Sequence, residues 1–159
     1  MTEPLFEPTN VLRILQDLAH DVEQGYKDSL ERNDRVASGD LLRSVSTEIT
    51  VNGTTYAVWM NLADYWEYVE NDTKPHWPPK SAIDRWIFIK PVIPRPGRDG
   101  RIPSPESLSF LIRRKIAREG TEGTHDLEKT KDAIIPHYEA LLLEALERDA
   151  LNYIEKVLP

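Results

Sequence analysis

The clearest local signal in the chain runs from Val45 to Met60 and reads VSTEITVNGTTYAVWM. Residues 45, 47, 49 and 51 alternate with polar neighbours, and a matching alternation returns over residues 55–60, which is the period-two pattern of half-buried strands. Asn52-Gly53 lies between the two runs and favours a type I′ turn, whose central residues both need positive φ. We predict an antiparallel hairpin, which needs further packing because a lone hairpin is marginal in water.

Helical patterns flank this hairpin on both sides. Apolar residues recur at three- and four-residue steps from Val11 to Leu30, with Asn10 as the expected N-cap. Two shorter helices are predicted. One is capped by Ser81 and runs through Ile89, and the other is capped by Ser104 and stops at the Gly120–Gly123 turn. The last helix is clearest from Pro136 onward, and its predicted inward face is Tyr138, Leu142, Leu146, Ala150, Tyr153 and Val157. The fold class is therefore α+β: a small antiparallel sheet built on a hairpin, packed by a long N-terminal helix and C-terminal helices.

Composition excludes several classes of protein. A chain of 159 residues fits one domain, and we predict a single domain over residues 1–159. With 40% hydrophobic and 30% charged residues, global disorder is not expected. The chain has no cysteine, which excludes disulfides, thiolate metal sites and cysteine nucleophiles. The N-terminus has no secretory pattern and no apolar run reaches bilayer length, so we expect a soluble, cytosol-made protein without a membrane partner.

The net charge of −7 is unevenly distributed. Residues 80–118 hold ten Lys/Arg against three Asp/Glu, whereas the remainder holds ten against 24. Solvated helix faces are the common explanation. A basic segment that meets an acidic surface or nucleic acid is the functional alternative.

Part of this basic segment is a long loop at residues 91–103, PVIPRPGRDGRIP. It carries Arg95, Arg98 and Arg101 against Asp99, and its prolines and glycines predict an exposed, partly stiff excursion. We expect the loop to contact a neighbouring subunit or another protein of the same assembly, and to become ordered only there. DNA is the competing target, because arginine also suits phosphate.

No catalytic motif is present. The histidines are scattered, and His76 lies among prolines, where backbone hydrogen bonding is more probable than acid–base chemistry. His125, Asp126 and Glu128 could hold a hard cation, but capping of a helix start is the favoured interpretation. We therefore predict a protein that is not an enzyme, with no catalytic, cofactor-binding or metal-binding residues.

Aromatic residues form a second group of candidate functional residues: Trp59, Tyr65, Trp66, Tyr68, Trp77 and Trp86. A cation cage or a base-stacking platform is one interpretation. Packing in the core and at subunit interfaces is favoured, since Tyr and Trp are enriched there.

The order of several motifs resembles a family of phage virion proteins. Residues 38–45 (SGDLLRSV) are similar to its small-Gly-x-Leu-x-x-Ser-hydrophobic entry, and residues 63–70 (ADYWEYVE) resemble its Tyr-Ala-x-Tyr-Val-Glu block. Residues 72–79 (DTKPHWPP) resemble its Gly-Thr-x-Pro-His-x-Pro-Pro loop, although Asp72 replaces the usual glycine. Arg114–Ala117 with Gly120-Thr121 is similar to its later helix and turn, whereas residues 124–130 depart from its Pro-Phe-Leu-x-Pro-Ala segment. The family is the tail-completion or head–tail joining proteins of tailed phages, also labelled neck or minor tail proteins.

This resemblance implies a structural virion protein, made in the host cytoplasm, that completes the tail or neck and helps join head to tail. The implied partners are other copies in a ring, with a hexamer as candidate stoichiometry, adjacent neck, connector and tail-tube proteins, and DNA passing through the lumen. The resemblance implies no cofactor. The subunit-interface candidates are Tyr65, Trp66, Tyr68, His76, Trp77, Arg95, Arg98 and Arg101. The alternative is a small nucleic-acid-binding or nucleic-acid-processing protein that uses residues 80–118 and His76.

Overall fold

The computed structural model describes residues 6, 8–34, 36, 38–90, 92–98 and 100–157. A two-stranded antiparallel sheet is combined with helices, which confirms the α+β class and its packing by N- and C-terminal helices. The elements in chain order are α1 (Thr9–Arg32), α2 (Asp40–Ser44), β1 (Ser46–Asn52), β2 (Thr55–Asn61), α3 (Trp66–Glu70), α4 (Lys80–Ile89), α5 (Pro105–Glu119) and α6 (Asp126–Val157).

The chain divides into two compact units, each assembled from separated segments. The first unit comprises Met1–Leu30, Ser44–Leu62 and Asp126–Pro159, and thus holds most of α1, the hairpin and α6. The second unit comprises Glu31–Arg43 and Ala63–His125, with α3, α4 and α5. That both belong to one domain stays a prediction.

The hairpin in the first unit has the alternation that the sequence predicts. Its register runs from Ser46 opposite Asn61 to Asn52 opposite Thr55. Ile49 and Val58 pair on the half-buried face. The turn prediction is wrong by one residue, because Gly53-Thr54 forms the two-residue loop and positive φ occurs at Gly53 (59°). A turn of type II′ needs positive φ at its first central residue alone, and glycine supplies it there.

Helix α1 holds the start of β1 through one carboxylate. Glu23 Oε2 accepts hydrogen bonds from Thr47 N and Thr47 Oγ1, each at 2.9 Å. Lys27 donates to Glu23 from the next turn, and this hydrogen bond is the main reason that the pKa of Glu23 lies below its ordinary value. The ionised form of Glu23 thus fixes the hairpin on α1.

Helix α6 is longer and differently rotated than the sequence predicts. It begins at Asp126, so Pro136 lies inside it, although proline leaves one intrahelical hydrogen bond unmade. This start also agrees with the helix-start interpretation of Asp126 and Glu128. Leu146, predicted to face inward, is 49% exposed. The buried positions are instead Asp126, Leu127, Thr130, Tyr138, Ala145 and Asp149.

Asp149 performs the role that we predicted for Asn10. Helix α1 begins at Thr9 and has no acidic residue in its first turn. The buried Asp149 carboxylate of α6 accepts from Asn10 N at 3.1 Å, Asn10 Nδ2 at 2.6 Å and Val11 N at 2.9 Å. An anion from a distant helix therefore satisfies the first N–H groups of α1 and its positive dipole end.

The second unit follows the predicted helix starts with one shift. Ser104 is the N-cap of α5, and its side chain accepts from Ser107 N as expected. Helix α4, however, begins at Lys80 with Pro79 at the N-cap, two residues before the predicted cap Ser81. Among the helices that the structure describes, none is long and apolar enough to cross a membrane.

Candidate interaction surface

A proline-rich segment of the second unit, residues 69–78, is held along the end of α5 and the turn after it. Thr124 N donates to Val69 O and His125 N donates to Glu70 O, at 3.1 and 3.0 Å. Thr73 and Thr121 form an antiparallel bridge, in which Thr73 N donates to Thr121 O at 2.8 Å. These backbone bonds hold the segment against the turn after α5, although it forms no regular strand there.

Two glycines permit this close backbone approach. A Cβ on Gly120 would lie 1.9 Å from Thr73 O, and one on Gly123 would lie 2.3 Å from Glu70 O. Gly120 also has φ 76° and ψ −160°, a backbone conformation that is essentially restricted to glycine. The Gly120–Gly123 turn therefore does more than end α5, because it docks the proline-rich segment.

Trp77 is the best-defined aromatic side chain on this segment. Its ring meets Phe110 edge-on, with centroids 6.0 Å apart, and the Arg113 guanidinium carbon lies 4.9 Å from its centroid. Arg113 Nε also donates to Pro78 O at 2.9 Å. Although α5 thus holds the ring in place, Trp77 remains 50% exposed.

Three further aromatic residues lie just before this segment, at the start of α3. Tyr65 is exposed, Trp66 is half-buried at the start of α3, and Tyr68 is 71% exposed. Glu70, at the end of the helix, is buried and receives the His125 N–H on its carbonyl. Tyr65 and Tyr68 therefore expose apolar area at a short helix whose last residue is bonded to the turn after α5.

His76 makes backbone contacts, as its proline-rich setting predicts. Its Nδ1 lies 2.9 Å from Lys74 O, and because a carbonyl can only accept, Nδ1 carries the proton in this contact. Its backbone N donates to Ile116 O at 3.4 Å. The side chain is exposed, and this geometry positions the loop.

The arginines of the basic loop are exposed. Residues 92–98 and 100–103 have no helix or strand, but Gly97 N donates to Arg101 O at 2.9 Å and Gly100 N to Gly97 O at 3.0 Å. These bonds close a small turn that brings Arg101 beside Gly97. Pro91 and Asp99, also part of the predicted loop, lie outside the described residues. The interface candidates thus fall on α3, the proline-rich segment and this loop.

Several cations of the basic segment have partners. Lys80 pairs with Asp84 and Lys90 with Asp34, at 2.6 and 2.7 Å, and Arg118 pairs with Glu119. Arg113 lies over Trp77. Part of the positive charge of residues 80–118 is therefore already engaged in contacts within the second unit.

Sites for metals or small molecules are sparse in the part of the chain that the structure describes. No group of three or more His, Asp or Glu residues there could hold a metal ion. The first unit contains an apolar recess of about 270 Å³. Its lining is Leu18, Val22, Thr47, Val58, Met60, Leu127, Lys131 and Ile135.

Comparisons of this chain with protein-family models, with curated proteins and with solved structures found no match.

Proposed function

We propose that this chain is a structural virion protein of a tailed phage, which completes the tail or neck and helps join head to tail as a homo-oligomeric ring. The observation that carries the proposal is the aromatic surface of the second unit, defined as Tyr65, Tyr68 and Trp77. All three rings are exposed. Trp77 is restrained by Phe110 and Arg113 of α5, and Tyr68 directly precedes Val69 and Glu70, whose carbonyls accept from the turn after α5. Large exposed apolar side chains on a fixed surface are typical of binding sites.

The restraint of the Trp77 side chain favours assembly for an energetic reason. Ordering a flexible loop at an interface costs free energy that must be subtracted from what its burial contributes. Because Trp77 is already restrained by Phe110 and Arg113, its burial against a partner carries little further ordering cost. The family resemblance and this surface together support an assembly role over a catalytic one.

The charge of the two units supports contacts between copies. The first unit holds six Lys/Arg against 15 Asp/Glu, whereas the second holds 14 against 12. A head-to-tail contact between the acidic first unit of one copy and the basic loop of the next is therefore electrostatically favourable. Repeated contacts of this heterologous kind close into rings when the rotation permits.

The rival function is nucleic-acid binding through residues 80–118. Arg95, Arg98, Arg114 and Lys115 are exposed cations that suit phosphate. Such binding would weaken steeply with salt, because each phosphate contact releases counterions. A monomer that binds duplex DNA with a steep salt slope would favour this rival over the ring.

We expect Tyr68→Ser to weaken self-association and leave the monomer's Tm nearly unchanged. The side chain contributes little to the fold at 71% exposure, while an interface tyrosine is worth about 2 kcal/mol, or roughly thirtyfold in the association constant. Sedimentation velocity over a concentration series measures the association constant. Leu143→Ser, which changes an exposed apolar residue of the first unit, is the matched control. Equal association constants for Tyr68→Ser and the unmodified chain would remove the aromatic surface from the interface.

Replacing Arg95, Arg98 and Arg101 together with serine is expected to prevent ring formation at an unchanged monomer Tm. Exposed charges contribute little to folding, but here they would meet the acidic first unit of a neighbour. The control variant replaces Arg13, Arg148 and Lys156 of the first unit with serine, which also removes three positive charges. Native mass spectrometry reads out the assembly, and a normal ring from the loop variant would exclude the loop as an assembly contact.

A further inference from the structure

The outer edge of β2 carries backbone groups that are not paired with another strand of the described chain. Thr47 N–H points away from β2, since it donates to Glu23. In an antiparallel ladder this orientation alternates, so its opposite residue Met60, and with it Val58 and Tyr56, directs N–H and C=O away from β1. Among the described residues, no hydrogen-bond partner faces these backbone groups.

The composition of β2 gives this edge no protection. Natural edge strands commonly carry lysine, proline or a bulge that prevents pairing with another chain. Strand β2 reads TYAVWMN, with no proline, no glycine and no charged residue. An unpaired seven-residue edge of this kind is a template for strand addition.

A segment suited to this edge lies in the basic loop. Residues 92–96 read VIPRP, have no regular structure and include Ile93, which is 91% exposed. Successive residues of an extended chain point their backbone groups to opposite sides. Pro94 and Pro96 therefore share one side, which offers no N–H there, while Ile93 and Arg95 present intact groups on the other.

This spacing permits pairing on one side alone. Proline is tolerated in edge strands when its missing N–H faces solvent. A segment with Ile93 and Arg95 against β2 would form about four backbone hydrogen bonds and present its proline side outward, which would stop further strand addition.

We propose that residues 92–96 of one copy add as a short strand to the outer edge of β2 in a second copy. The inference rests on the proposed self-assembly and names its contact. The outer edge of β2 and the backbone of residues 92–96 both lack hydrogen-bond partners within the described chain. Pairing between two copies would satisfy both. Arg95 then approaches the acidic first unit, so charge complementarity acts with the backbone bonds. Because the contact joins two different segments of the chain, it is heterologous, and heterologous contacts close into rings when the rotation permits.

The first test compares Ile93→Pro with Val92→Pro in the full chain. Both variants exchange a branched aliphatic residue for proline in the same extended segment, but Ile93→Pro alone removes an N–H on the pairing side. We expect Ile93→Pro to weaken association at least about tenfold and Val92→Pro to leave it within about threefold, as measured by sedimentation velocity. Rings that form equally well with both variants would overturn the strand addition and leave the ring itself standing.

The second test uses the absence of native cysteines for disulfide trapping. Single-cysteine variants at Ala57 or Trp59 are mixed with variants at Val92 or Ile93 and oxidised with diamide. Since Val92 and Ile93 face opposite sides of an extended segment, one of them shares the face of Trp59 in either strand direction. We expect a mixed disulfide dimer from at least one mixture, well above that from the exposed control Phe88→Cys.

The other outcomes contradict the proposal in distinguishable ways. A Trp59→Cys homodimer as the main product would mean that two β2 edges pair with each other. A disulfide within a single chain carrying both cysteines would place the pairing inside one molecule. Mixed dimers no more abundant than those of Phe88→Cys, together with a wild-type chain that stays monomeric at all concentrations, would overturn both this contact and the proposed ring.

Discussion

Gly120→Ala is expected to lower the free energy of unfolding of the second unit by about 3–5 kcal/mol, among the largest effects of any single substitution in this chain. The added Cβ would lie 1.9 Å from Thr73 O, a backbone atom that cannot rotate away. The φ of 76° with ψ −160° adds strain that an alanine cannot relieve in place. Relief requires breaking the Thr73–Thr121 bridge, which holds the proline-rich segment.

Gly100→Ala separates the steric clash from the backbone strain. Gly100 has φ 73°, similar to that of Gly120, but a Cβ there would meet no atom within 4 Å. We expect this control to cost about 1–2 kcal/mol, from the conformational penalty alone. Urea denaturation, monitored by circular dichroism and by tryptophan fluorescence, measures the free energy of unfolding of both glycine variants. Equal costs for the two variants would show that the proline-rich segment does not lie against the Gly120–Gly123 turn.

Asp149→Ala is expected to destabilise the first unit by about 2–4 kcal/mol, because it leaves the Asn10 and Val11 N–H groups without their buried acceptor. Asp149→Asn keeps one carbonyl oxygen and should cost about half as much. Glu147→Ala changes an exposed acid on the same helix and is the matched control. Denaturation midpoints compare the variants, and an Asp149→Ala midpoint equal to that of Glu147→Ala would contradict the capping role.

The same carboxylate predicts a pH dependence. Burial alone would raise the pKa of Asp149, but the hydrogen bonds donated by Val11 and Asn10 outweigh it and hold the pKa below its ordinary value of 3.8. A depressed folded-state pKa contributes stability that is present above pH 3.8 and is lost as the pH falls through the folded value. The stability difference between the unmodified chain and Asp149→Asn should therefore shrink below pH 4, as measured by urea denaturation at each pH.

The fold was predictable where a local pattern decides the structure. The alternation over Val45–Met60 specified the hairpin, and Ser104-Pro105 specified the start of α5, because these signals act within a few residues. The rotation of α6 was not predictable in this way. Its leucines lie on several faces of the helix, so periodicity alone does not identify the buried face. That face is the one on which Asp149 contacts the start of α1. Asp149, an acidic residue one turn after Ala145 on the buried face, is the sequence signal that could have identified the cap.

The candidate surface was predictable as a set of residues but not as an arrangement. The density of Tyr, Trp and Pro between Ala63 and Pro79 identified the segment. Its support depends on backbone bonds from Val69 and Glu70 to residues more than fifty positions away in the chain, such as Thr124 and His125. Glycine in a turn normally indicates conformational freedom. At Gly120 and Gly123 it also provides space for another backbone, and only the three-dimensional contact reveals this.

Native mass spectrometry of the purified 159-residue chain, over a concentration series at physiological salt, tests self-assembly most directly. The ring proposal predicts one closed oligomer that grows at the expense of monomer, without an open-ended ladder. This oligomer should need higher concentration in Tyr68→Ser and be lost in the triple arginine variant. A chain that stays monomeric at every concentration, and binds duplex DNA with a steep salt dependence, would contradict the proposal and favour the nucleic-acid function.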